Sequence, residues 1–562
     1  MRTVVVGGVA AGMSAAARLR RLDEDAEIII FEKGPHVSYA NCGLPYYVGG
    51  EITDESALLV QTPAKLKDAL DLDVRVNHEV VSLDPQAKTV TVRHDGQEET
   101  VEYDALILSP GADALRPPLP GFDSDLVWHL RSVPDALELR RRVENGVEKA
   151  VVLGAGFIGV EAAEALANQG VQVTLVELAP HVLPPLEPEL ASLVTTELEH
   201  LGITVVSAVA AEAIDTDGDH AEVILSNGER IPTDLVVLSI GVRPATGWLA
   251  ETGLAMEKGA LIVDDHGRTS VESIWAGGDA VASTDPVTGV IRPVPLAGPA
   301  NRAGRLIGDD IAFTFGTGSK PRSIPSPLGT AIVRVGDLTA ALTGANRRAL
   351  EEAEINYHTI NLHPNQHAGY FPGASQIHLI VHFDAEDGRI LGAQAVGKEG
   401  VDKRIDVLAT AMRAGMAAED LVDLDLSYSP PYGSAKDAVN MAGMMAQNVR
   451  DGVTRLWYAK EVDDILASSL VVDVRTPAEY ARGHLPGALN VPHTEVRERI
   501  EEIREAAQGK PIRVHCQSGM RSYLAERVLA QEGFDVKNLS GGMLTLRESM
   551  ASGLAPTVEL VS

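Results

Sequence analysis

One pattern occurs twice in this chain: an apolar strand-like run, a glycine-rich turn, a helix-like run and a second strand-like run. In the first copy the turn is GGVAAG and the three runs cover 4–6, 13–21 and 28–32. In the second copy the turn is GAGFIG and the three runs cover 150–153, 160–169 and 173–177. Such βαβ units place two strands side by side in a parallel sheet, with the glycine turn at the amino end of the helix. The pattern therefore predicts an α/β fold with two nucleotide-sized sites.

The length and charge of the chain exclude several classes of protein. At roughly 150 residues per domain, 562 residues predict three or four domains. Lys and Arg total 48 and Asp and Glu total 79, which gives a formal charge of −31. A chain this acidic repels phosphate backbones and anionic lipid surfaces, so we expect no nucleic acid partner. No apolar run reaches about 18 residues, so no membrane insertion is expected either.

The cysteine count limits covalent and metal chemistry. Cys42 and Cys516 are the two cysteines of the sequence, too few for a disulfide scaffold or a multi-cysteine zinc site. We therefore expect no metal and a reducing, cytoplasmic location.

The first 17 residues have two interpretations. Arg2, an apolar run and A-x-A at 15–17 are typical of a secretory signal. The alternative is a strand at 3–6, a glycine turn and a helix. We favour the second interpretation, because the turn glycines and a downstream acidic residue complete a nucleotide-binding motif.

The second βαβ unit predicts an NAD site. Gly154, Gly156 and Gly159 form a complete G-x-G-x-x-G, in which the glycines allow a tight turn, close approach of a pyrophosphate and helix–strand packing. Glu177 ends the second strand, where a carboxylate accepts from a ribose 2′-hydroxyl and repels a 2′-phosphate. No Arg or Lys follows over 178–183. The sequence therefore favours NADH over NADPH.

The first unit is less regular and predicts an FAD site. Gly7 and Gly12 are in place, Val9 stands at the second glycine position, and Glu32 follows at the distance of an adenosine ribose ligand. WAGGDA at 275–280 ends a short strand at Asp279, the arrangement with which flavoproteins hold ribityl hydroxyls. LILSPGA at 106–112 is similar to the strand and turn that close an FAD domain. Together these motifs resemble the two-dinucleotide disulfide reductase superfamily over residues 1–447.

Cys42 stands alone beside the predicted flavin site. Disulfide reductases of this architecture carry C-x4-C, but Tyr47 occupies the second cysteine position. A single thiol must cycle through a mixed disulfide, a persulfide or a sulfenic acid.

Three motifs resemble coenzyme A disulfide reductase: RLRR at 18–21, SYANC at 38–42 and YSPPYGSAK at 428–436. The related NADH oxidases and peroxidases carry a histidine in the first glycine turn, and its absence here favours a sulfur substrate. The resemblance implies coenzyme A contacts at Ser14, Arg18, Arg21, Ser38, Asn41, Asn301 and Lys436. It also implies FAD contacts at Lys33, Ser109, Gly111 and Ala297, and a position near the nicotinamide for Glu161.

The resemblance also implies a role for two tyrosines. Tyr370 and Tyr428 match a pair that the partner subunit places near the thiolate, where their hydroxyls stabilise or protonate the leaving coenzyme A. Core packing is the alternative for Tyr370.

The second cysteine lies in HCQSGMR at 515–521, between a predicted strand at 512–516 and a helix at 522–531. Loop amides and the helix dipole favour a thiolate at Cys516 and cradle a persulfide. With DVRTPAEYARGHLPGALNVP at 473–492, the segment resembles rhodanese, which makes Cys516 and Arg521 catalytic candidates and assigns Asp473 and Arg475 a structural role.

The combined fold class is α/β, with two dinucleotide-binding Rossmann-like domains, an α+β dimerisation domain and a C-terminal rhodanese-like α/β domain. The expected boundaries are 1–112 with 243–322 for FAD, 113–242 for NAD, 323–447 for dimerisation and 453–556 for rhodanese. We expect a homodimer that uses FAD and NADH to reduce a coenzyme A disulfide, a coenzyme A persulfide or polysulfide. The sequence does not rank these substrates or give the direction of sulfur flow. The alternatives are an oxidase or peroxidase that works through a Cys42 sulfenate, and a persulfide carrier or redox sensor without turnover.

Overall fold

The computed structural model describes residues 1–218, 220–555 and 558–562. It divides into two compact units, Met1–Leu178 with Gly202–Gly329 and Ala179–Leu201 with Thr330–Ser562. These two units do not test the four domain boundaries given above, which stay predictions.

The strands of the first unit follow the chain closely. They are β1 (Arg2–Val6), β2 (Glu27–Glu32), β3 (Asp73–Val76), β4 (Glu79–Asp84), β5 (Thr89–His94), β6 (Gln97–Glu102), β7 (Ala105–Leu108), β8 (Ala112–Ala114), β9 (Val127–His129), β10 (Lys149–Leu153), β11 (Gln172–Val176), β12 (Thr204–Val206), β13 (Ala211–Asp217), β14 (His220–Leu225), β15 (Arg230–Thr233), β16 (Leu235–Leu238), β17 (Val242–Pro244), β18 (Met256–Glu257), β19 (Ala260–Leu261), β20 (Ile274–Ala276), β21 (Ala282–Thr284) and β22 (Ile291–Pro293). The helices over the same stretch are α1 (Ala10–Arg20), α2 (Leu44–Val48), α3 (Pro63–Leu70), α4 (Val133–Glu144), α5 (Phe157–Asn168), α6 (Pro188–His200), which belongs to the second unit, and α7 (Ala297–Thr314).

Two parallel five-stranded sheets organise the first unit. Their strand orders are β20-β7-β1-β2-β3 and β12-β11-β10-β16-β9. In each sheet the order reverses beside the first strand of a βαβ unit, β1 or β10, and ligands of open α/β sheets bind in the crevice outside the strand ends at that point. The remaining strands form two antiparallel three-stranded sheets, β4-β5-β6 and β13-β14-β15, and antiparallel pairs β17-β8, β18-β19 and β21-β22.

The strand β1 shows why the sequence makes a sheet that is buried on both faces. Val4 and Val6 pack in one apolar cluster, whereas Val5 packs in another with α1 and α7. All of β1 after Arg2 is buried, as expected for a central parallel strand with both faces covered. The N-terminal segment therefore forms the strand, turn and helix of the second interpretation given above.

The second unit has one antiparallel and one parallel sheet. Its strands are β23 (Ala331–Val335), β24 (Leu338–Gly344), β25 (Tyr357–Leu362), β26 (Ile377–Asp384), β27 (Ile390–Gly397), β28 (Leu456–Trp457), β29 (Leu470–Asp473), β30 (Leu489–Asn490), β31 (Ile512–His515) and β32 (Val536–Leu539). Its further helices are α8 (Arg347–Glu352), α9 (Val401–Ala414), α10 (Ala438–Arg450), α11 (Val462–Ser468), α12 (Pro477–Tyr480), α13 (Ile500–Ala507), α14 (Met520–Gln531) and α15 (Gly542–Ala551).

The antiparallel sheet has the order β23-β24-β27-β26-β25, and helices α9 and α10 pack on it around one apolar cluster. The C-terminal sheet has the order β28-β32-β31-β29-β30, with all its pairs parallel and an apolar cluster on each face. The α+β and α/β architectures predicted for these two segments are confirmed. Across the described residues, we find no helix whose length and apolar character would let it cross a bilayer.

Candidate active site

The turn between β10 and α5 has the geometry of a dinucleotide cradle. A Cβ at Gly159 would lie 1.8 Å from the Gly154 carbonyl oxygen, so helix and strand pack too closely there for any side chain. At Gly156 a Cβ would meet nothing within 4 Å, which leaves the turn open on the side where a pyrophosphate approaches. The Ser239 hydroxyl beside the turn is buried, and the described residues give it no hydrogen-bond partner. This cradle fits NAD.

Glu177 lies at the carboxyl end of β11 and holds this turn. Its Oε2 accepts the Ala155 N–H at 2.6 Å, and the residue is only 9% exposed. The carboxylate therefore sits where the sequence places the ribose ligand.

The turn between β1 and α1 is tighter. Gly7 has φ +95°, and a Cβ there would lie 2.1 Å from the Ser109 carbonyl oxygen. Gly12 is close to the same residue, because a Cβ there would meet the Ser109 hydroxyl at 2.4 Å. Glu32 accepts the Gly8 N–H at 2.9 Å and the Gly34 N–H at 2.8 Å, so it braces the turn from the end of β2. The close packing fits an adenosine diphosphate at the amino end of α1.

The other residues that the resemblance assigns to FAD lie near the carboxyl ends of strands in the same sheet or at the start of α7. Asp279, in a short 3-10 turn after β20, accepts the Arg131 guanidinium at 2.8 Å. Ser109 and Gly111 follow β7, and Ala297 begins α7. Lys33 is exposed and pairs with Asp113 at 3.1 Å. Arg131 was not found from the sequence, since it comes from a distant segment.

Cys42 lies in the 3-10 turn Asn41–Gly43 that leads into α2, and its thiol reaches solvent. Partial burial raises the pKa of the Cys42 thiol, and the Glu161 carboxylate adds to that effect. Glu161 is fixed by the Tyr46 hydroxyl, which donates to its Oε1 at 3.1 Å. The structure thus brings Cys42 and Glu161 together from two segments that the sequence assigned to different domains.

Apart from Lys436, the residues predicted to bind coenzyme A lie on α1 or at its end, on α7 and beside Cys42. The Ser14 hydroxyl donates to the Asn301 Oδ1 at 2.6 Å, and the Arg18 Nε donates to the Asp309 Oδ1 at 2.6 Å. Arg21 is exposed at the end of α1. Ser38 has φ +47°, and Asn41 Oδ1 is buried without a hydrogen-bond partner in the described chain. That orphaned oxygen next to Cys42 indicates a ligand with a donor group.

The two tyrosines form a pair in the second unit. Their hydroxyls are 3.2 Å apart, and Tyr370 and Tyr428 are 77% and 48% exposed. Core packing of Tyr370 is therefore wrong. The hydrogen bond between the two hydroxyls raises the pKa of Tyr370. Because the pair and Cys42 belong to separate units, their proximity stays a prediction, as does the role of the exposed Lys436.

A buried arginine, missed from the sequence, holds the loop of Tyr370. Arg404 donates to both carboxylate oxygens of Asp437, at 3.2 and 2.6 Å, and to the Gln366 carbonyl at 2.7 Å. The Ala368 N–H also donates to the Gly433 carbonyl at 2.8 Å. These bonds tie the HAGY segment to the loop that contains Tyr428 and Lys436.

The loop after β31 turns its backbone toward the Cys516 sulfur. Cys516 is 1% exposed, and its Sγ accepts the Gly519 N–H at 3.2 Å and the Ser522 hydroxyl at 3.3 Å. Gly519, at φ +94°, turns the chain into α14. The N–H of Met543, at the start of α15, donates to the Cys516 carbonyl at 2.9 Å. One backbone amide and one side-chain hydroxyl thus face the sulfur, and the persulfide cradle stays a prediction.

Arg521 is held beside this loop by an acidic partner. Its guanidinium donates to both oxygens of Glu479, at 2.8 and 2.7 Å. This ion pair raises the pKa of Arg521 and lowers that of Glu479 far below its usual range. T476-P-A-E479 is a capping box for α12, a signal that predicts a helix start but not the pair with Arg521.

Asp473 and Arg475 have the structural role that the sequence predicts. Both are buried, and Arg475 donates to both carboxylate oxygens of Asp473 at 2.6 to 3.0 Å. Burial lowers the pKa of the neighbouring His515 to about 4. That histidine is therefore neutral near pH 7.

Comparisons with known proteins agree with this geometry. Residues 1–300 match the pyridine nucleotide-disulphide oxidoreductase family, residues 330–439 its dimerisation domain and residues 456–548 the rhodanese-like domain. The chain is 35% identical over 452 residues to a coenzyme A disulfide reductase of Staphylococcus haemolyticus, covering 80% of this chain and 100% of that one.

Two solved structures resemble the chain over nearly its whole length. One is the reduced Bacillus anthracis CoADR-RHD, with a TM-score of 0.94, 41% identity and 98% coverage of both chains. The other is an NAD-dependent persulfide reductase from A. fulgidus, with a TM-score of 0.90 and 39% identity over 97% of this chain and 100% of that one.

Proposed function

The chain belongs to the pyridine nucleotide-disulphide oxidoreductase family, among the coenzyme A disulfide reductases that carry a C-terminal rhodanese-like domain, and on that premise we propose that it reduces coenzyme A disulfide, coenzyme A persulfide or polysulfide with NADH. Enzymes of this family use FAD and a pyridine nucleotide, and both turns described above fit such groups. When bound, FAD would take a pair of electrons from NADH and supply them for the reduction of sulfur.

The observation that carries the proposal is the solitary thiol at position 42. Cys42 is exposed, Glu161 lies near it, and Tyr47 stands where a second cysteine would close an internal disulfide. Its thiolate attacks one sulfur of coenzyme A disulfide, forms a mixed disulfide and releases the other coenzyme A as a thiolate. Two electrons and a proton then regenerate the Cys42 thiolate and release the second coenzyme A as a thiol. With coenzyme A persulfide, the group released first is hydrosulfide.

The bound substrate needs a local cationic and polar surface, because the chain as a whole is acidic. We assign the phosphates of coenzyme A to Arg18, Arg21 and Lys436, and its polar arm to Ser14, Asn301, Ser38 and Asn41. Arg18 is only partly available, since it also pairs with Asp309. The Tyr370 and Tyr428 hydroxyls, from the partner subunit of a homodimer, protonate the leaving thiolate.

The rhodanese-like domain gives Cys516 a separate task. Two donors face its sulfur and Arg521 lies beside the loop, an environment that stabilises an anionic persulfide. We propose that Cys516 exchanges sulfane sulfur with the Cys42 site. A shared chain raises the local concentration of one site near the other to about millimolar. The two free cysteines and this labile chemistry suit a reducing cytoplasm.

A substrate panel tests the function. NADH oxidation and sulfide release are measured together for coenzyme A disulfide, coenzyme A persulfide and polysulfide. Multiple turnovers with a sulfur substrate are expected. Turnover with oxygen or peroxide alone would instead indicate an oxidase or peroxidase, and a single turnover would indicate a persulfide carrier or sensor.

A cysteine variant and a split enzyme test the exchange of sulfur. Cys516→Ser should leave reduction of coenzyme A disulfide nearly intact, because that reaction needs Cys42 alone, but should lower turnover with polysulfide. Adding the separate segment 450–562 to this variant should restore polysulfide turnover only at high concentration. Equal polysulfide turnover by wild type, Cys516→Ser and the split pair would remove Cys516 from the reaction.

A further inference from the structure

Two histidines and a glutamate meet where the rhodanese-like domain packs on the antiparallel sheet. His363 follows β25 and His378 lies near the start of the neighbouring strand β26, so the two rings meet edge to face. Glu548 reaches them from α15 of the rhodanese-like domain. The His363 Nδ1 is 3.0 Å from the His378 Nδ1, which is 2.6 Å from the Glu548 Oε1. One ligand atom from each of the three residues lies within 4.8 Å of the others.

The hydrogen bond of the other His363 nitrogen determines which of its two ring nitrogens can bind an ion. His363 Nε2 lies 2.8 Å from the Thr545 hydroxyl, one helical turn before Glu548. When Nε2 carries the proton and donates to Thr545, the Nδ1 lone pair points at His378 and Glu548. Metal-bound histidines show this arrangement: one nitrogen binds the ion and the other donates to a neighbouring group that orients the ring.

Glu548 provides a second, independent observation. It is 7% exposed, and its Oε2 has no hydrogen-bond partner among the described residues. A buried carboxylate oxygen without a partner costs free energy unless a cation or donor meets it. The cluster thus has an unused acceptor as well as two imidazole nitrogens.

We propose that His363, His378 and Glu548 bind one divalent transition-metal cation, Zn²⁺ by preference, which fastens the rhodanese-like domain to the antiparallel sheet. Two imidazoles and a carboxylate form a donor set that Zn²⁺ accepts, at about 2.0–2.2 Å from each ligand, with water in a fourth position. Ligands at those distances are separated by roughly 3.4 Å in a tetrahedron. The observed separations of 2.6 and 3.0 Å need a small expansion, and the third pair, His363 with Glu548, already lies within 4.8 Å.

The site lies within an interface that other bonds already order. The Ser540 hydroxyl accepts both the backbone and the side-chain N–H of Asn361 at 3.0 Å, and the Tyr458 hydroxyl donates to the Thr359 carbonyl at 2.9 Å. A cation with ligands from both sides would therefore add to a preformed contact. The expectation of no metal site came from the cysteine count, which gives no information about a histidine–carboxylate site.

The test is Zn²⁺ binding to the full FAD-loaded chain, produced without a histidine tag and stripped with a chelator. Cys42→Ser/Cys516→Ser is used as the parent, since it removes both thiols as competing zinc ligands. Calorimetry should show one Zn²⁺ per chain, and Zn²⁺ should raise the thermal midpoint. Co²⁺ in the same site should give the visible absorption of a tetrahedral complex.

Substitutions in the parent assign the ligands. Glu548→Gln and His378→Gln should each lower the Zn²⁺ affinity by more than about 100-fold, because even an outer hydrogen-bond partner contributes about 10–100-fold. Thr545→Val should lower it by about 10-fold. His358→Gln, on β25 and outside the cluster, is the matched control and should change nothing.

Two results would overturn the proposal. One is a parent chain that takes up no Zn²⁺ or Co²⁺ under these conditions. The other is uptake that survives both Glu548→Gln and His378→Gln with unchanged affinity. Because the readouts are binding and thermal stability, neither result depends on whether the proposed sulfur chemistry is correct.

Discussion

Replacing Glu177 by Gln should weaken the choice of NADH over NADPH. The carboxylate is 9% exposed at the carboxyl end of β11 and accepts the Ala155 N–H at 2.6 Å. Gln keeps an oxygen that can accept from Ala155, so the turn should survive. What the substitution removes is the negative charge that a 2′-phosphate would meet.

The size of the effect follows from the charges. Two unit charges at about 4 Å interact by roughly 4 kcal/mol when the effective dielectric constant is about 20. At about 1.4 kcal/mol for each tenfold change, that repulsion corresponds to roughly a 1000-fold preference. Solvent at the mouth of the site reduces it, so we expect wild type to prefer NADH by about 100–1000-fold in kcat/KM, and Glu177→Gln to lose at least about tenfold of that ratio.

Steady-state kcat/KM for both nucleotides, with coenzyme A disulfide as the acceptor, measures the ratio. Glu148→Gln, which removes an exposed carboxylate from the segment just before β10, is the matched control and should leave the ratio unchanged. The reasoning would be refuted by a wild-type preference for NADPH, or by a ratio in Glu177→Gln equal to that of wild type.

Four further substitutions test the electrostatics of the two units. In Cys516→Ser, the pH profile of Cys42 alkylation should shift to lower pH when Glu161→Gln is added, because burial and Glu161 together raise the pKa of that thiol; an unmoved profile would contradict this. Burial alone would raise the pKa of Glu187, but the His382 hydrogen bond and the Arg347 charge outweigh burial and lower the pKa from 4.5 to about 2. Ionised Glu187 therefore stabilises the fold above about pH 4.5. This stability is lost as the pH falls toward 2. Glu187→Gln should therefore cost about 3 kcal/mol at pH 7 and less at pH 3 in denaturant unfolding, and an equal cost at both would be contrary evidence. Arg521→Ala should lower sulfane sulfur transfer by about 10–100-fold, the value of one charge-assisted hydrogen bond, with Glu479→Gln intermediate; full transfer by Arg521→Ala would exclude the arginine.

The sequence predicted the order of strands and helices within each βαβ unit, because such a unit is a local pattern. The predicted ends of helices and strands differ from the observed ends where a turn residue, and not the end of an apolar pattern, starts or ends the element. Helix α1 begins at Ala10, three residues before the predicted start, because the last three residues of GGVAAG already belong to the helix. Strand β29 ends at Asp473, where the side chain of Arg475 bonds back to the Asp473 carboxylate.

The cysteine and glycine motifs of the candidate site could also be located from the sequence, but the ion pairs around them could not. The cysteines and glycines lie in motifs that one segment defines by itself. Arg131 with Asp279, Arg404 with Asp437 and Arg521 with Glu479 are pairs of distant residues. Only the fold brings their charges together, and no spacing along the chain indicates them. The His363–His378–Glu548 cluster is a further case, with ligands from two domains.

The central claim is that Cys42 is the thiol through which electrons reach the substrate. Its most direct test is anaerobic rapid mixing of Cys42→Ser first with NADH and then with coenzyme A disulfide, beside wild type and Cys516→Ser. The account predicts that NADH reduces the flavin in all three proteins, and that coenzyme A disulfide reoxidises it in wild type and Cys516→Ser but not in Cys42→Ser. Reoxidation of Cys42→Ser at a rate near that of wild type would contradict the account.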